Sequence, residues 1–303
     1  MKKTQPREFH VPVLLQAAVD FLKVKPGHWY VDATIGGGGH AREIIRQGGR
    51  VLGIDWDKQA LMAAKEHLQK AGPDASWQLV KGSFADLQAL VGQAKIKTVA
   101  GVLFDLGVSS HQLDSCGRGF SFQIKEDLDM RMDPDTQAVT AKDLLTVLYE
   151  KELCEIFKKF ADENLARPIA RRIVRFRRVR PITTTKQLKR IVAEVYSRKK
   201  IRQRKIDPAT KVFQALRIAV NDELNNLKSG LSQAFEILKP KGRLVVISFH
   251  SGEDRIVKQR FRQWKQEGEG EVLTKKPIMP SDKEKKANPR ARSAKLRAIE
   301  KLI

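Results

Sequence analysis

The sequence predicts an α/β protein, a doubly wound parallel sheet interrupted by an inserted helical segment. Three observations predict it. Over the first third of the 303 residues, short apolar runs alternate with stretches of helical period. A glycine cluster at 36–39 follows the first apolar run, in "VDATIGGGGHAREII" (31–45). Strand signals then stop between about 113 and 213 and resume afterwards.

The elements follow in order. "WYVDATI" (29–35) reads as a buried strand, and "HAREIIRQG" (40–48) as a helix closed by Gly48 and Gly49. "RVLGID" (50–55) is a second strand, and "KQALMAAKEHLQKAG" (58–72) a helix stopped by Gly72 and Pro73. "SWQLVKG" (76–82) and "TVAGVLFDLG" (98–107) are the third and fourth strands, the last apolar enough to be covered on both faces. In the insertion, "KELCEIFKKF" (151–160) and "KQLKRIVAEVY" (186–196) each place apolar residues on one helical face. A helix through "FQALRIAVNDELNNL" (213–227), another at 229–238, a "PKG" turn (240–242) and the strand "RLVVISF" (243–249) restore the alternation. The end is loop-like, with a final strand near "AKLRAIEKL" (294–302). The expected domains are 1–112 and 214–303, forming one sheet, and 113–213, inserted.

Composition narrows the function. Formal net charge is +23, and it is local: residues 165–217 hold 18 Lys or Arg against two acids, and 275–303 hold ten against three. The rest of the chain is balanced. A concentrated single-sign field points to a polyanionic partner. No apolar run reaches the roughly 18 residues of a membrane span. "MKKTQPREFH" lacks the apolar core of a secretory signal, so a cytoplasmic protein with no membrane partner is expected. The two cysteines, Cys116 and Cys154, are expected as free thiols, and without a CxxC or Cys/His cluster no metal site is expected.

The glycines admit two cofactors. Gly36, Gly38 and Ala41 fit a dinucleotide turn, and Asp55 ends the second strand where a carboxylate takes ribose hydroxyls. S-adenosylmethionine carries the same ribose, and a sulfonium cation in place of a pyrophosphate. Asp32 and Asp105, both expected at the carboxyl edge, suit a cation. The basic insertion suits RNA more than a small hydride acceptor. Between strand four and the insertion lie "DLGVSSHQLD" (105–114) and "RGFSFQIKEDLDMRMD" (118–133), in the crevice where substrate meets cofactor. There Phe120 and Phe122 either stack on RNA bases or anchor the loop inward. Candidate acceptors for a reacting group are Asp105, Ser109, Ser110 and His250. Candidate phosphate contacts are Arg171, Arg172, Arg175, Arg177, Arg178 and Lys199.

"HVPVLL" (10–15), "VDATIGGGGH" (31–40), "LFDLGVSSHQLD" (103–114), "RGFSF…LDMRMD" (118–133), "PATKVFQALRIAVNDEL" (208–224), "GRLVVISFHSGEDRIVK" (242–258) and "NPRARSAKLR" (288–297) occur in that order. Together they resemble the bacterial RsmH, or MraW, family nearly end to end. The resemblance implies a Rossmann-like S-adenosylmethionine-dependent methyltransferase with an inserted helical substrate domain. It implies transfer to N4 of a cytidine of 16S rRNA, position 1402 in standard rRNA numbering, with the small ribosomal subunit as partner; the sequence leaves monomer and dimer open. It implies cofactor contacts from Gly38, Gly39, His40, Asp55, Phe84, Asp105 and Gln112. The chain departs from the family's pattern at Gly252, at His111, in "QIKED" (123–127) and in "FADENLARPIAR" (160–171), where Pro168 is expected to disturb a helix. A divergent relative acting on another RNA position, or a non-catalytic RNA-binding assembly factor, remains the alternative.

Overall fold

The computed structural model describes residues 12–72, 76–108, 117–199 and 207–303. The chain forms two compact units, 1–109 with 224–303, and 110–223.

The first unit is built on a seven-stranded sheet, helices included in chain order: α1 (Leu15–Leu22), β1 (Trp29–Asp32), α2 (Gly39–Arg46), β2 (Arg50–Asp55), α3 (Lys58–Leu68), β3 (Trp77–Lys81), α4 (Leu87–Gln93) and β4 (Val99–Asp105). The strands run in the order β3-β2-β1-β4-β5-β7-β6. β1 to β5 are parallel neighbours, and β7 (Lys295–Lys301) is antiparallel to both β5 (Leu238–Ser248) and β6 (Gly270–Val272). β4 is buried from Val99 to Phe104 and only Asp105 reaches toward solvent, as a strand covered on both faces requires. One core packs Leu52, Val102, Phe104, Leu231 and Phe261 on one face; another packs Ile44, Val51, Leu103 and Val245 on the other.

The order reverses between β1 and β4, since β2 and β3 lie to one side and β5 to the other. A crevice therefore opens at the carboxyl ends of β1 and β4. β1 stops at Asp32 rather than continuing to 35, because Thr34 turns back: its N–H donates to Asp32 Oδ1 at 3.3 Å.

The second unit is helical: α5 (Ala141–Val147), α6 (Glu150–Ala161), α7 (Ala166–Arg177), α8 (Thr185–Arg198) and α9 (Ala209–Asn221), with α6 packed on α7 and α9. Leu153, Phe157, Ile169, Ile173, Leu188, Val192, Val212 and Leu216 fill its interior. Pro168 does no harm to α7. It lies in the first turn, where a backbone N–H has no helical partner to lose.

The helix expected over 213–227 is two helices. α9 ends at Asn221, Asp222 turns left-handed at φ 47°, and α10 (Glu223–Ile237) follows. Asn221 Nδ2 fixes the break by donating to the Met130 and Arg217 carbonyls, both at 2.8 Å. The units accordingly divide at 223/224, not at 213/214, and α9 belongs with the inserted helices. α11 (Ser251–Gln266) and α12 (Asp282–Ala287) complete the elements. No helix among the described residues is long and apolar enough to cross a membrane. Cys154 is a free thiol, and Cys116 lies outside the described residues.

Candidate active site

Three carboxylates end three adjacent parallel strands: Asp55 on β2, Asp32 on β1 and Asp105 on β4. The glycine turn is tied to the first of them. The Gly36 N–H donates to Asp55 Oδ2 at 3.0 Å, and the Asp57 N–H to Oδ1 at 2.9 Å. Each carboxylate oxygen keeps a second lone pair for another donor. Gly38 begins α2 with φ 78°, a conformation that favours glycine. Gly39 has no room for a side chain, because a Cβ there would stand 2.2 Å from Pro12 Cγ. Across the crevice the Asp105 N–H donates to Thr34 Oγ1 at 2.7 Å, locking the ends of β1 and β4 together.

His40 is buried on α2 with Nε2 hydrogen-bonded to the Val13 carbonyl at 3.2 Å. That bond puts the proton on Nε2 of the neutral ring, so Nδ1 faces Asp105 Oδ2, 3.7 Å away, with its lone pair. Burial lowers the His40 pKa to about 4, against the opposing effect of the Val13 carbonyl, so the ring gives Asp105 no counter-charge near neutral pH. Asp105 Oδ1 is buried and has no hydrogen-bond partner among the described residues.

The acids show this shortage of positive charge. Burial pushes Asp32 up to about 7, the Thr34 N–H opposing and the Asp55 charge adding. Burial raises Asp55 to about 6, although the Asp57 and Gly36 amides hold it down. Asp105 is raised well above the carboxylate range by burial, then by the charges of Asp32 and Glu253. Buried acids driven toward neutrality regain their charge beside a cation. Beside it Phe84, half-buried, meets Phe104 edge-on at 5.4 Å and Trp56 at 6.3 Å.

Of the residues expected at this site, Gly38, Gly39, His40, Asp55, Phe84 and Asp105 belong to this one unit. Ser109, Ser110 and Gln112 lie outside the described residues. His250 proves to be a helix cap. It precedes α11, and its Nδ1 accepts the Glu253 N–H at 3.4 Å while Glu253 Oε2 accepts the Phe249 and His250 N–H groups. Nδ1 is committed to the cap, and Nε2 lies 3.2 Å from Glu253 Oε1 without a hydrogen bond among the described residues. Thr34, Trp56 and Glu253 were not legible as site residues. Only Trp56, directly after the strand-ending acid, carried a signal.

In the helical unit, α7 buries Ala166, Ile169, Ala170 and Ile173 and turns Arg167, Arg171 and Arg175 outward at helical spacing, with Arg178 exposed at its C-cap. The six candidate phosphate contacts divide into two groups. Arg172 makes a two-pronged pair with Glu194, Nε at 3.1 Å and Nη2 at 2.7 Å from Oε2. Arg177 donates to the Leu145 carbonyl at 2.6 Å, and Arg171 reaches Glu150 at 3.4 Å. Arg175, Arg178 and Lys199 are exposed, with no ion pair among the described residues. Phe120 is buried under Arg118, and Phe122 lies edge-on to Phe213 at 5.0 Å with the Lys189 ammonium 4.9 Å from its ring centroid. Both rings anchor their loop.

Acids at the switch point of a doubly wound sheet, a glycine turn beside them and an inserted basic helical unit define a Rossmann-like methyltransferase. The model of the MraW methylase family matches residues 7–302, and the chain belongs to that family. It is 45% identical to the ribosomal RNA small subunit methyltransferase H of Desulfosudis oleivorans, over 97% of this chain and 99% of that one. It is 46% identical to the protein of the same name from a Sulfurihydrogenibium species, over 95% and 97%. A solved rRNA methylase from Streptococcus thermophilus aligns over 97% of this chain and 99% of its own, at 11% identity and a TM-score of 0.47.

Proposed function

We propose that this chain transfers the methyl group of S-adenosylmethionine to N4 of a cytidine in small-subunit ribosomal RNA, in the cytoplasm. The observation that carries the reading is the acid cluster Asp32, Asp55 and Asp105, raised toward neutrality and holding one buried carboxylate oxygen without a partner among the described residues. The names of the relatives support the substrate.

The residues present fit the methyl donor. Gly38 and Gly39 clear the turn, Asp55 has lone pairs for ribose hydroxyls, and Phe84 supplies an aromatic face. Asp32 and Asp105 supply negative charge near a cation, and His40 stays neutral beside them. S-adenosylmethionine supplies an electrophilic methyl on a sulfonium.

Asp105 also serves the acceptor base. The cytosine amino nitrogen is a weak nucleophile, because its lone pair is delocalised into the ring. A carboxylate that accepts an N–H hydrogen bond favours the pyramidal nitrogen and stabilises the positive charge that develops on it. Holding the amine in line supplies up to roughly 7–11 kcal/mol of the barrier. Asp105 Oδ1 is the acceptor in this account, with Ser109 and Ser110, which lie outside the described residues, as the further candidates. Arg175, Arg178 and Lys199 hold RNA phosphates.

The test is a reaction of the protein with methyl-labelled S-adenosylmethionine and isolated small ribosomal subunits, followed by nucleoside analysis. Label in N4-methylcytidine at one site is expected. Label on a different base would reassign the target, and no transfer despite RNA binding would favour a non-catalytic assembly factor.

A further inference from the structure

Of the two phenylalanines that either stack on bases or anchor the loop, Phe120 is buried and Phe122 packs on Phe213, yet the basic unit displays an aromatic ring elsewhere. Tyr149 is 75% exposed, between α5 and α6, and its ring stacks on nothing among the described residues. We propose that Tyr149 is a stacking platform for an unpaired nucleobase of the RNA substrate. The inference rests on the RNA reading above and goes beyond it, since it assigns base contact to a residue outside the catalytic crevice.

Two tethers place the ring beside the arginine stripe. At one end Arg177 Nη1 donates to the Leu145 carbonyl at 2.6 Å; at the other Arg171 Nε reaches Glu150 Oε1 at 3.4 Å. The segment from Leu145 to Glu150 therefore runs alongside α7 over the six residues from 171 to 177, about 9 Å of helix at 1.5 Å per residue. Tyr149 adjoins the Arg171 end. Its backbone is held, because the Tyr149 N–H donates to Glu152 Oε2 at 2.7 Å, so the ring is presented from a fixed helix start. Two acids flank the ring: Glu150 is paired with Arg171, and Glu152 is taken by the Tyr149 N–H. Arg175 and Arg178, on the same outward stripe, keep their charge for a ligand.

Two further apolar side chains of this unit are uncovered: Val147 is 70% and Val179 86% exposed. Val179 follows Arg178 directly in the chain. The occupant this arrangement suits offers flat apolar surface together with negative charge, because Arg175 and Arg178, which make no ion pair among the described residues, lie on the same outward side of the helix as Arg171. Single-stranded RNA offers both in each nucleotide, with the base on the ring and the phosphate on the arginines.

The experiment compares a short oligocytidylate with an abasic oligomer of the same phosphate number, binding each to the intact protein and to Tyr149→Ala. Stacking on one aromatic ring is worth about a five- to 150-fold change in affinity. Tyr149→Ala is expected to lose that much for oligocytidylate and nothing for the abasic oligomer, with the salt dependence of both unchanged. Tyr149→Phe should bind as the parent does. Tyr149→Trp adds a fluorophore far in sequence from the four native tryptophans, and oligocytidylate should quench it. Equal loss for both oligomers, or no loss for either, would overturn the platform while leaving the RNA reading in place. Parent protein binding neither oligomer would overturn both. Unchanged oligomer binding with weakened association of small-subunit proteins would overturn it in favour of a protein contact.

Discussion

His40 Nδ1 stands 3.7 Å from Asp105 Oδ2, while the other nitrogen of the same ring is held by the Val13 carbonyl. A neutral imidazole thus faces a carboxyl group at the mouth of the crevice, and the pair carries no compensating cation of its own. Asp105→Asn keeps the shape and removes the charge. Affinity for S-adenosylmethionine is expected to fall about 30-fold or more, the equivalent of roughly 2 kcal/mol for one lost partner of a buried charge pair. Calorimetric titration checks this, and an unchanged affinity would remove Asp105 from the cofactor site.

The raised acids make cofactor binding depend on pH, with a definite sign. Asp32 and Asp55 hold protons up to about 7 and about 6 in the free protein. A bound cation favours their ionised forms and lowers both values, so binding releases protons wherever the free protein still carries them. Affinity should therefore fall as the pH is lowered from about 7 toward the ordinary carboxylate range. Titrations at pH 6 in buffers of different ionisation enthalpy should report net proton release; net uptake would contradict the account.

The fold's own pH dependence has two opposing contributions. The raised carboxyls are protonated more readily in the folded chain than in the unfolded one. Their stabilisation is present at low pH and is lost as pH rises through about 6 and about 7. His40, lowered to about 4, contributes stability above its unfolded value that is lost as pH falls toward 4. In Asp32→Asn the loss of stability between pH 5 and 8 should shrink, as read from urea midpoints at each pH.

The division among the arginines predicts separable phenotypes. Replacing Arg175, Arg178 and Lys199 together by Ala should leave thermal stability nearly unchanged and lower the slope of log affinity against log salt by about 2. Arg172→Ala breaks the pair with Glu194 that joins α7 to α8, and should act on stability first. A triple variant with the parent's salt slope would show that these cations do not meet phosphate.

Two glycines give opposite stability outcomes. Gly39→Ala drives a methyl group against Pro12 and should destabilise by about 1–3 kcal/mol, the usual cost of overpacking. Gly92 in α4 has open space where its side chain would go, and Gly92→Ala should stabilise by about 0.4–1 kcal/mol. Denaturant midpoints of the two variants decide both.

Much of the sheet was legible because its signals are local. β2 was read to the residue, since an apolar run ends there at an acid, and β4 within a residue or two at each end. The break at Asp222 was hidden because apolar spacing continues across it, and the carbonyl that sets it, on Met130, is distant in sequence. α5 and β6 are too short to show a period. The site's carboxylates could be placed by strand ends alone. The cap role of His250, the lock from Thr34 and the sorting of arginines into paired and free all depend on side-chain neighbours that no spacing encodes. Apolarity marked Phe120 and Phe122, but it does not distinguish a ring turned inward from one facing solvent, and the exposed ring was Tyr149.

The central claim is that the acids at the carboxyl edge of β1, β2 and β4 take a sulfonium ligand rather than a pyrophosphate. Titration of the free protein with S-adenosylmethionine and with a nicotinamide dinucleotide, in the same calorimeter at pH 7.5, tests it most directly. The account predicts saturable heat with S-adenosylmethionine and none with the dinucleotide. Saturation by the dinucleotide with silence toward S-adenosylmethionine would contradict it.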